Sequence, residues 1–136
     1  MTKASDLFVA CLEAEGVEYV PMRALGGLRH ARKDSPNTGW RNASFRGYAD
    51  YMQTGQFQDA LETLIQMSHQ KRAAIMCAEA VPWRCHRSLV ADALGARAVP
   101  VIEILSETNY RMHRLTPFAQ VEGTRITYPS EQPKLL

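Results

Sequence analysis

The sequence predicts an α/β fold: a small, Rossmann-like domain in which helices cover an open, mainly parallel sheet in a three-layer arrangement. An apolar run without polar alternation, residues 73–78, is typical of a strand covered on both faces, and residues 98–105 are predicted as a further strand. A shorter run at 17–20 precedes them, and helical patterns such as 86–95 lie between the runs. Because strands that alternate with helices are usually joined by right-handed crossovers, we expect a parallel sheet.

Length and charge indicate one domain and no particular partner. The 136 residues carry a net charge of only +2. A chain of this length buries one core, so we expect a single α/β domain over residues 1–129 and a frayed tail at 130–136. The basic residues concentrate in one segment that contains a single acid, Asp34; they are Arg23, Arg29, Arg32, Lys33, Arg41 and Arg46.

The cysteines and the first residues predict a cytoplasmic protein. Three cysteines are an odd number, and Met1 to Asp6 lacks the basic and then apolar pattern of a secretory signal. We therefore expect reduced thiols. The longest apolar runs are much shorter than the ~20 residues of a membrane span, so we expect no membrane association.

The first helix is predicted from Ser5, its N-cap, to Gly16, and Cys11 lies on its apolar stripe, where a free cysteine is usually buried. A second helix begins at Asn42 or Ser44, and a third follows Gly55. Positions predicted to face the core are Phe45, Tyr48, Ala49 and Met52 in the second helix and Phe57, Leu61, Leu64 and Ile65 in the third. Arg46, Asp50 and Gln53 are predicted to face outward.

The segment Pro21 to Asn42 is a loop of about 20 residues, a length that indicates either a functional or a disordered loop. Its turn residues and Trp40 favour an ordered functional loop over a mobile basic one. Farther along, Gly95 is predicted to cap the helix at 86–95, and Pro100 places strand 98–105 at a sheet edge.

The C-terminal part is predicted to contain a polar connection and a hairpin. Ser106 to Arg114 is the connection, and residues 118–121 and 125–128 form the hairpin around Gly123.

Three loops leave the carboxyl ends of the predicted parallel strands: 21–42, 79–85 and 106–113. Parallel strands share one such edge, where open α/β sheets bind their ligands. We expect an anion site there, for a phosphate or a phosphorylated molecule. The predicted anion-binding residues are Arg84, Arg87, Arg41, Arg46 and Asn42. The alternative is that the arginines form structural ion pairs with Glu79, Asp50 or Asp92.

Cys85 lies just before the predicted helix start, where the helix dipole and neighbouring arginines stabilise a thiolate. We predict Cys85 as a candidate nucleophile with His86 and Glu79 as proton carriers. Cys77 and Cys85 also fit purely structural roles or a redox role. Their spacing does not require zinc, and we predict no metal or cofactor.

Several motifs resemble the family catalogued as domain of unknown function 488. They lie at residues 26–29, 34–52, 76–87 and 113–118, and the most specific is Cys-Ala-Glu at 77–79 followed by Cys-His-Arg at 85–87. The resemblance extends from about Ser5 to Pro129. It implies a bacterial cytosolic α/β domain whose activity is not established.

Two features that the resemblance leads one to expect are missing from this sequence. Members usually begin with a strand ending in a Gly-His-Ser-like turn, a helix, and a second strand ending in Asp-Val-Arg. The resemblance thus implies an N-terminally shortened sheet with an open edge, which could pair with a second copy in a homodimer.

Three functions remain open from the sequence. The first is a phosphate or nucleotide site, with or without thiol chemistry at Cys85. The second is a nucleic-acid-binding module that uses the basic loop 23–46 with Trp40, Tyr48 and Tyr51. The third is a partner-binding domain without a small-molecule ligand.

Overall fold

The computed structural model describes residues 10–27, 29–76 and 86–130. A short 3-10 helix at Arg23–Leu25 lies in the long loop. The helices that follow are α1 (Ala43–Tyr51), α2 (Gly55–Gln70) and α3 (Arg87–Ala96). Four short strands come next: β1 (Ile102–Ile104), β2 (Tyr110–Met112), β3 (Gln120–Glu122) and β4 (Arg125–Thr127).

The starts of α1 and α2 are fixed by side-chain caps. The Asn42 side-chain oxygen accepts hydrogen bonds from the N–H groups of Ser44, at 2.8 Å, and Phe45, at 3.2 Å. The Thr54 hydroxyl accepts from the Phe57 N–H at 3.3 Å. Both caps satisfy backbone donors that have no partner inside the helix. The predicted helix start at Asn42 is confirmed.

The core is formed by the three helices and the last strand. The predicted inward faces of α1 and α2 are confirmed, since every apolar residue assigned to them is buried. In α3 the apolar face consists of Leu89, Val90, Ala93 and Leu94, as its spacing predicts. Ile126 in β4 and Tyr128 just after it complete this core.

The predicted parallel, Rossmann-like sheet is wrong. The described residues contain two separate two-stranded antiparallel sheets, β1–β2 and β3–β4. Residues 17–20 and 73–76 form no strand and are mostly exposed, while 77–78 lie outside the described residues.

The predicted sheet is wrong because the described strands pair with other segments than expected. Of the predicted strand 98–105 only Ile102–Ile104 is a strand, and its partner β2 lies inside the segment predicted as a polar connection. An apolar run indicates a strand but does not name its neighbour. Here a local hairpin, with its short closing loop, replaces the crossover.

The second hairpin is confirmed. Val121 of β3 pairs with Ile126 of β4. The turn passes through Gly123, whose φ of +62° is a left-handed conformation that glycine adopts without steric cost.

Three local predictions are wrong. Cys11 is exposed, because the helical segment at residues 10–14 places it outside the described core. Asp50 is buried rather than outward, since donors from the preceding loop surround its carboxylate. Gly95 does not cap α3, which continues to Ala96; Ala98, with φ of +60°, turns the chain instead.

The long loop is held against α1. The hydroxyl of Tyr48 donates to the Leu25 carbonyl, and the hydroxyl of Tyr51 donates to the Ala24 carbonyl at 2.6 Å. At Gly47, a Cβ atom would overlap the backbone of Arg29. The loop backbone therefore crosses α1 in direct contact, which only glycine allows.

Across the described ranges, no helix is long and apolar enough to cross a membrane.

Candidate functional site

The structure describes five of the eight predicted site residues. Cys85, Glu79 and Arg84 lie outside the described residues, as does Cys77. The five that are described fall into two groups: His86 and Arg87 open α3, and Arg41, Asn42 and Arg46 surround the start of α1.

His86 lies against aromatic residues of α1. Its ring stacks on Tyr48, with centroids 4.3 Å apart and an interplanar angle of 16°, and meets Phe45 edge-on at 5.3 Å. Its Nε2 is 3.2 Å from the Ser44 hydroxyl oxygen. Burial lowers the pKa of His86 below its usual 6.5. The ring is therefore neutral at pH 7 and can accept a proton.

The contact between Ser44 and His86 joins the N-terminal ends of two helices. Ser44 lies in the first turn of α1, and His86 occupies the N-cap position of α3, where its side chain makes no capping hydrogen bond. Each helix start carries partial positive charge from aligned peptide dipoles. Two such ends therefore meet at this point, which we call the helix junction.

Arg46 and Asn42 are engaged in holding the loop and α1 together. The Arg46 guanidinium donates to the carbonyl of Trp40, at 3.1 and 3.2 Å, and to that of Arg41, at 3.3 Å. The side-chain oxygen of Asn42 caps α1. These hydrogen bonds are made within the protein, and they fix the backbone at the start of α1 on which Ser44 lies.

Arg41 directly precedes the cap residue of α1, and Arg87 is the first residue of α3. Arg41 is exposed and lines a hollow of about 440 Å³ together with the hydroxyl residues Thr38 and Ser130. Arg87, the first residue of α3, is half-buried and already engaged with a neighbour. Arg41 is therefore more accessible to a ligand than Arg87.

A row of rings connects this hollow to His86. Phe118, which lines the hollow, meets Trp40 at 4.9 Å, and Trp40 meets Phe45 at 5.1 Å. Phe45 in turn contacts His86. The Trp40–Arg41 region therefore lies on the same side of the core as the start of α3, although no sheet edge brings them together.

From the sequence, the site is predicted at a shared edge of parallel strands, and this reason is wrong, because the described strands are antiparallel. The third loop assigned to that edge, residues 106–113, contains β2 and ends at His113, which bonds to Asp92 in α3. Helix starts, rather than strand ends, bring the described candidates together.

A buried polar network around Asp92 was not predicted. Asp92 is fully buried and accepts four hydrogen bonds. The donors are His113 Nε2 at 2.7 Å, the Thr116 hydroxyl at 2.7 Å, the Thr116 N–H at 3.1 Å and the Tyr128 hydroxyl at 2.8 Å. Asp92 interrupts the apolar run of α3 from Leu89 to Leu94, and this interruption was the available signal.

His113 lies between two carboxylates, because its Nδ1 is also 2.7 Å from Glu103 Oε1. Burial lowers the pKa of His113, but the hydrogen bonds and charges of Glu103 and Asp92 outweigh burial and leave the pKa raised above 6.5. Burial raises the pKa of Glu103, whereas His113 and Arg111 lower it, with a net decrease. The pair favours an ionised Glu103 beside a protonated His113.

A second network surrounds Asp50 in α1. Its carboxylate accepts from the Ser35 hydroxyl at 2.6 Å, the Asn37 side-chain amide at 2.7 Å and the Arg32 N–H at 2.8 Å. Asn37 also accepts from the Tyr128 N–H at 2.8 Å. These bonds connect the long loop to both α1 and the end of the second hairpin.

The helices and the two small antiparallel hairpins of the described residues define a small α+β domain. A family model described as "Domain of unknown function DUF488" matches residues 4–94, about two thirds of the chain. The chain therefore belongs to the DUF488 family, as its motifs predict. No curated protein and no solved structure matches it significantly. The match ends in α3, so residues 113–118 and both hairpins lie beyond it.

Proposed function

We propose that this protein binds a small anion, namely a phosphate group that is free or carried by a nucleotide, at the helix junction. The observation that carries the proposal is the 3.2 Å contact between Ser44 and His86, which places the starts of α1 and α3 side by side. Helix N-termini attract anions through their backbone N–H groups and positive dipole ends. In α1 the Asn42 cap already takes the N–H groups of Ser44 and Phe45, so α1 contributes its dipole end, whereas the N-cap side chain of α3 makes no such bond.

Guanidinium groups supply the remaining positive charge. Arg41 lies three positions before Ser44 and is exposed, and Arg87 is the first residue of α3. Arg84 lies two positions before His86 in the sequence and adds a third guanidinium to the proposal. The planar fork of arginine matches phosphate oxygens in pairs. Asn42 and Arg46 contribute by fixing the backbone on which Arg41 lies.

If the site is catalytic, its nucleophile is Cys85, which directly precedes His86 in the sequence. A thiolate next to a helix start is stabilised by the dipole and by neighbouring arginines. The neutral His86 ring accepts a proton, and Glu79 is the second candidate proton carrier. This extension needs a test separate from that of anion binding.

Anion binding is tested by calorimetry and thermal shift with inorganic phosphate, sulfate and a nucleoside monophosphate, each against chloride at equal ionic strength. A ligand that binds the folded form raises the melting temperature. We expect stabilisation by phosphate, and a roughly tenfold weaker affinity in Arg41→Gln, because one charge-assisted contact is lost. Arg23→Gln is the matched control, since Arg23 is an exposed arginine of the same loop outside the junction.

Equal affinity of Arg41→Gln and Arg23→Gln for phosphate would place any binding elsewhere. No stabilisation by any of the anions would reject the proposal. Chloride at equal ionic strength separates specific binding from general screening.

The thiol extension is tested by alkylation rates across pH in a Cys11→Ser, Cys77→Ser background, which leaves Cys85 as the only thiol. We expect a thiol pKa well below the usual ~8.5. A pKa at or above that value removes the nucleophile role and leaves anion binding untouched. Cys85→Ser is the blank for the labelling reaction.

The nucleic-acid alternative depends on aromatic residues that the core already uses. Tyr48 is fully buried, Tyr51 is buried beneath the guanidinium of Arg29 at 3.7 Å, and Trp40 packs against Phe45. We therefore do not propose base stacking by these rings. Oligonucleotide binding with a steep salt dependence, measured beside the phosphate titration, would revive that alternative.

A further inference from the structure

The β1–β2 hairpin has two chemically different faces. Its register pairs Ile102 with Met112, Glu103 with Arg111 and Ile104 with Tyr110. Side chains alternate between the two faces of a strand. The charged middle pair therefore lies on one face, and the two outer apolar pairs share the other.

The charged face is fixed to the body of the protein. Glu103 bonds to His113, and His113 bonds to the fully buried Asp92 in α3. Arg111 closes the pair with Glu103 at 2.7 Å. This anchor sets the orientation of the hairpin, so its apolar face points away from the core.

The apolar face is unusually exposed. Ile102, Ile104, Tyr110 and Met112 are 57, 69, 68 and 58% exposed. By contrast, in the second hairpin Val121 is 39% exposed and Ile126 is buried. Four side chains of this size expose on the order of 500 Å², within the range of the largest apolar patch on a typical monomer, and patches of this kind often mark interaction sites.

We propose that this face is where two copies of the chain associate, with the two apolar faces stacked across a twofold axis. An apolar face without charges is complementary to itself, as a twofold interface requires. Two copies would bury on the order of 1,000 Å² in total, about the lower limit for a specific interface. None of the four side chains of this face is a lysine or arginine, which would bind lipid headgroups or nucleic-acid phosphates, and this favours a second copy over both.

Sedimentation velocity and light scattering across the micromolar range test the proposal on the full chain. We expect a concentration-dependent dimer for the unmodified protein. Ile104→Lys introduces a charge between the stacked faces and raises the dimer dissociation constant at least about tenfold. Val121→Lys is the matched control: it changes an exposed strand residue of the other hairpin and leaves the constant unchanged.

Circular dichroism and thermal melting verify that each variant is folded. Tyr110→Lys is a second variant on the same face and replaces Ile104→Lys if the latter unfolds. A wild-type monomer throughout the concentration range overturns the proposal, as does a dimer that both face variants leave intact. Flotation of a wild-type monomer with lipid vesicles would overturn it in favour of a membrane surface.

Discussion

His86 and His113 are both partly buried but have opposite surroundings. Aromatic rings cover His86, and its one polar partner in the described part of the chain is the neutral hydroxyl of Ser44. Carboxylates flank His113 on both ring nitrogens. Burial without a counter-charge lowers the pKa of His86, whereas two carboxylates raise that of His113 above 6.5 despite burial. The neighbours, and not burial alone, decide the charge state.

This difference separates a neutral ring from a structural cation. Because its pKa is lowered, His86 adds no positive charge at pH 7 beside the arginines of the proposed anion site. A protonated ring between carboxylates instead connects the first hairpin to α3. His86 lies inside the segment matched to the DUF488 family, and His113 lies beyond it.

Removal of the Asp92 carboxylate, which His113, Thr116 and Tyr128 share, should have the largest effect on stability. Asp92→Ala leaves His113, Thr116 and Tyr128 without their acceptor, so we expect a loss of about 3–5 kcal/mol in the free energy of unfolding. Urea denaturation measures it. Glu62→Ala removes an exposed ion pair with Arg97 and should cost less than about 1 kcal/mol. Similar losses in the two variants would mean that the buried network is not a distinct source of stability.

His113→Gln should show the next largest effect, about 1.5–3 kcal/mol at pH 6, because hydrogen bonds to charged groups are lost. A histidine with a raised folded pKa stabilises fully below the unfolded value of ~6.5, and this contribution disappears as the pH rises through the folded pKa. The wild type should therefore lose this stability as the pH rises through the folded pKa of His113, whereas His113→Gln should show no such loss. Urea titrations at several pH values between 6 and 9 compare the two.

His86→Gln should cost about 1 kcal/mol at pH 7.5, since an aromatic stack is lost. Its pH dependence is opposite in sign. Because the folded pKa is lowered, the contribution of His86 is present above ~6.5 and is lost as the pH falls through the folded value. The variant should be less acid-sensitive than the wild type between pH 6.5 and 5. If the two proteins lose stability equally between pH 6.5 and 5, His86 is solvated like a histidine of the unfolded chain.

Ser44→Ala should have the smallest effect, about 0.5–1 kcal/mol, from one neutral hydrogen bond. This variant instead tests whether His86 and His113 are independent of each other. In NMR spectra the ring resonances of His86 should shift while those of His113 stay in place. Movement of both would indicate that the two histidines belong to one coupled unit.

The helices could be predicted from the sequence because their signals are local. The apolar spacing of α1 and α2 and the cap at Asn42 lie within a few turns of the residues they define. The inward position of Asp50 could not be predicted, since its donors Ser35 and Asn37 lie 15 and 13 residues away in a loop.

Strand partners and polar networks could not be predicted for the same reason. The apolar run at 73–76 has the composition of a covered strand, yet nothing in its pattern states what covers it. Asp92 and His113 lie 21 residues apart and meet because the first hairpin lies against α3. From the sequence, the Trp40–Arg41 region is predicted near the start of α3 because of a shared sheet edge; in the described residues, contacts of Phe45 with Trp40 and His86 connect the two regions instead.

Gly47 links the basic loop to this arrangement. Because the Arg29 backbone occupies the space of a missing side chain, a single hydrogen atom at position 47 sets the path along which the loop crosses α1. A methyl group at this one position would lift the loop from the helix at Arg29, although it adds no charge and touches no ligand.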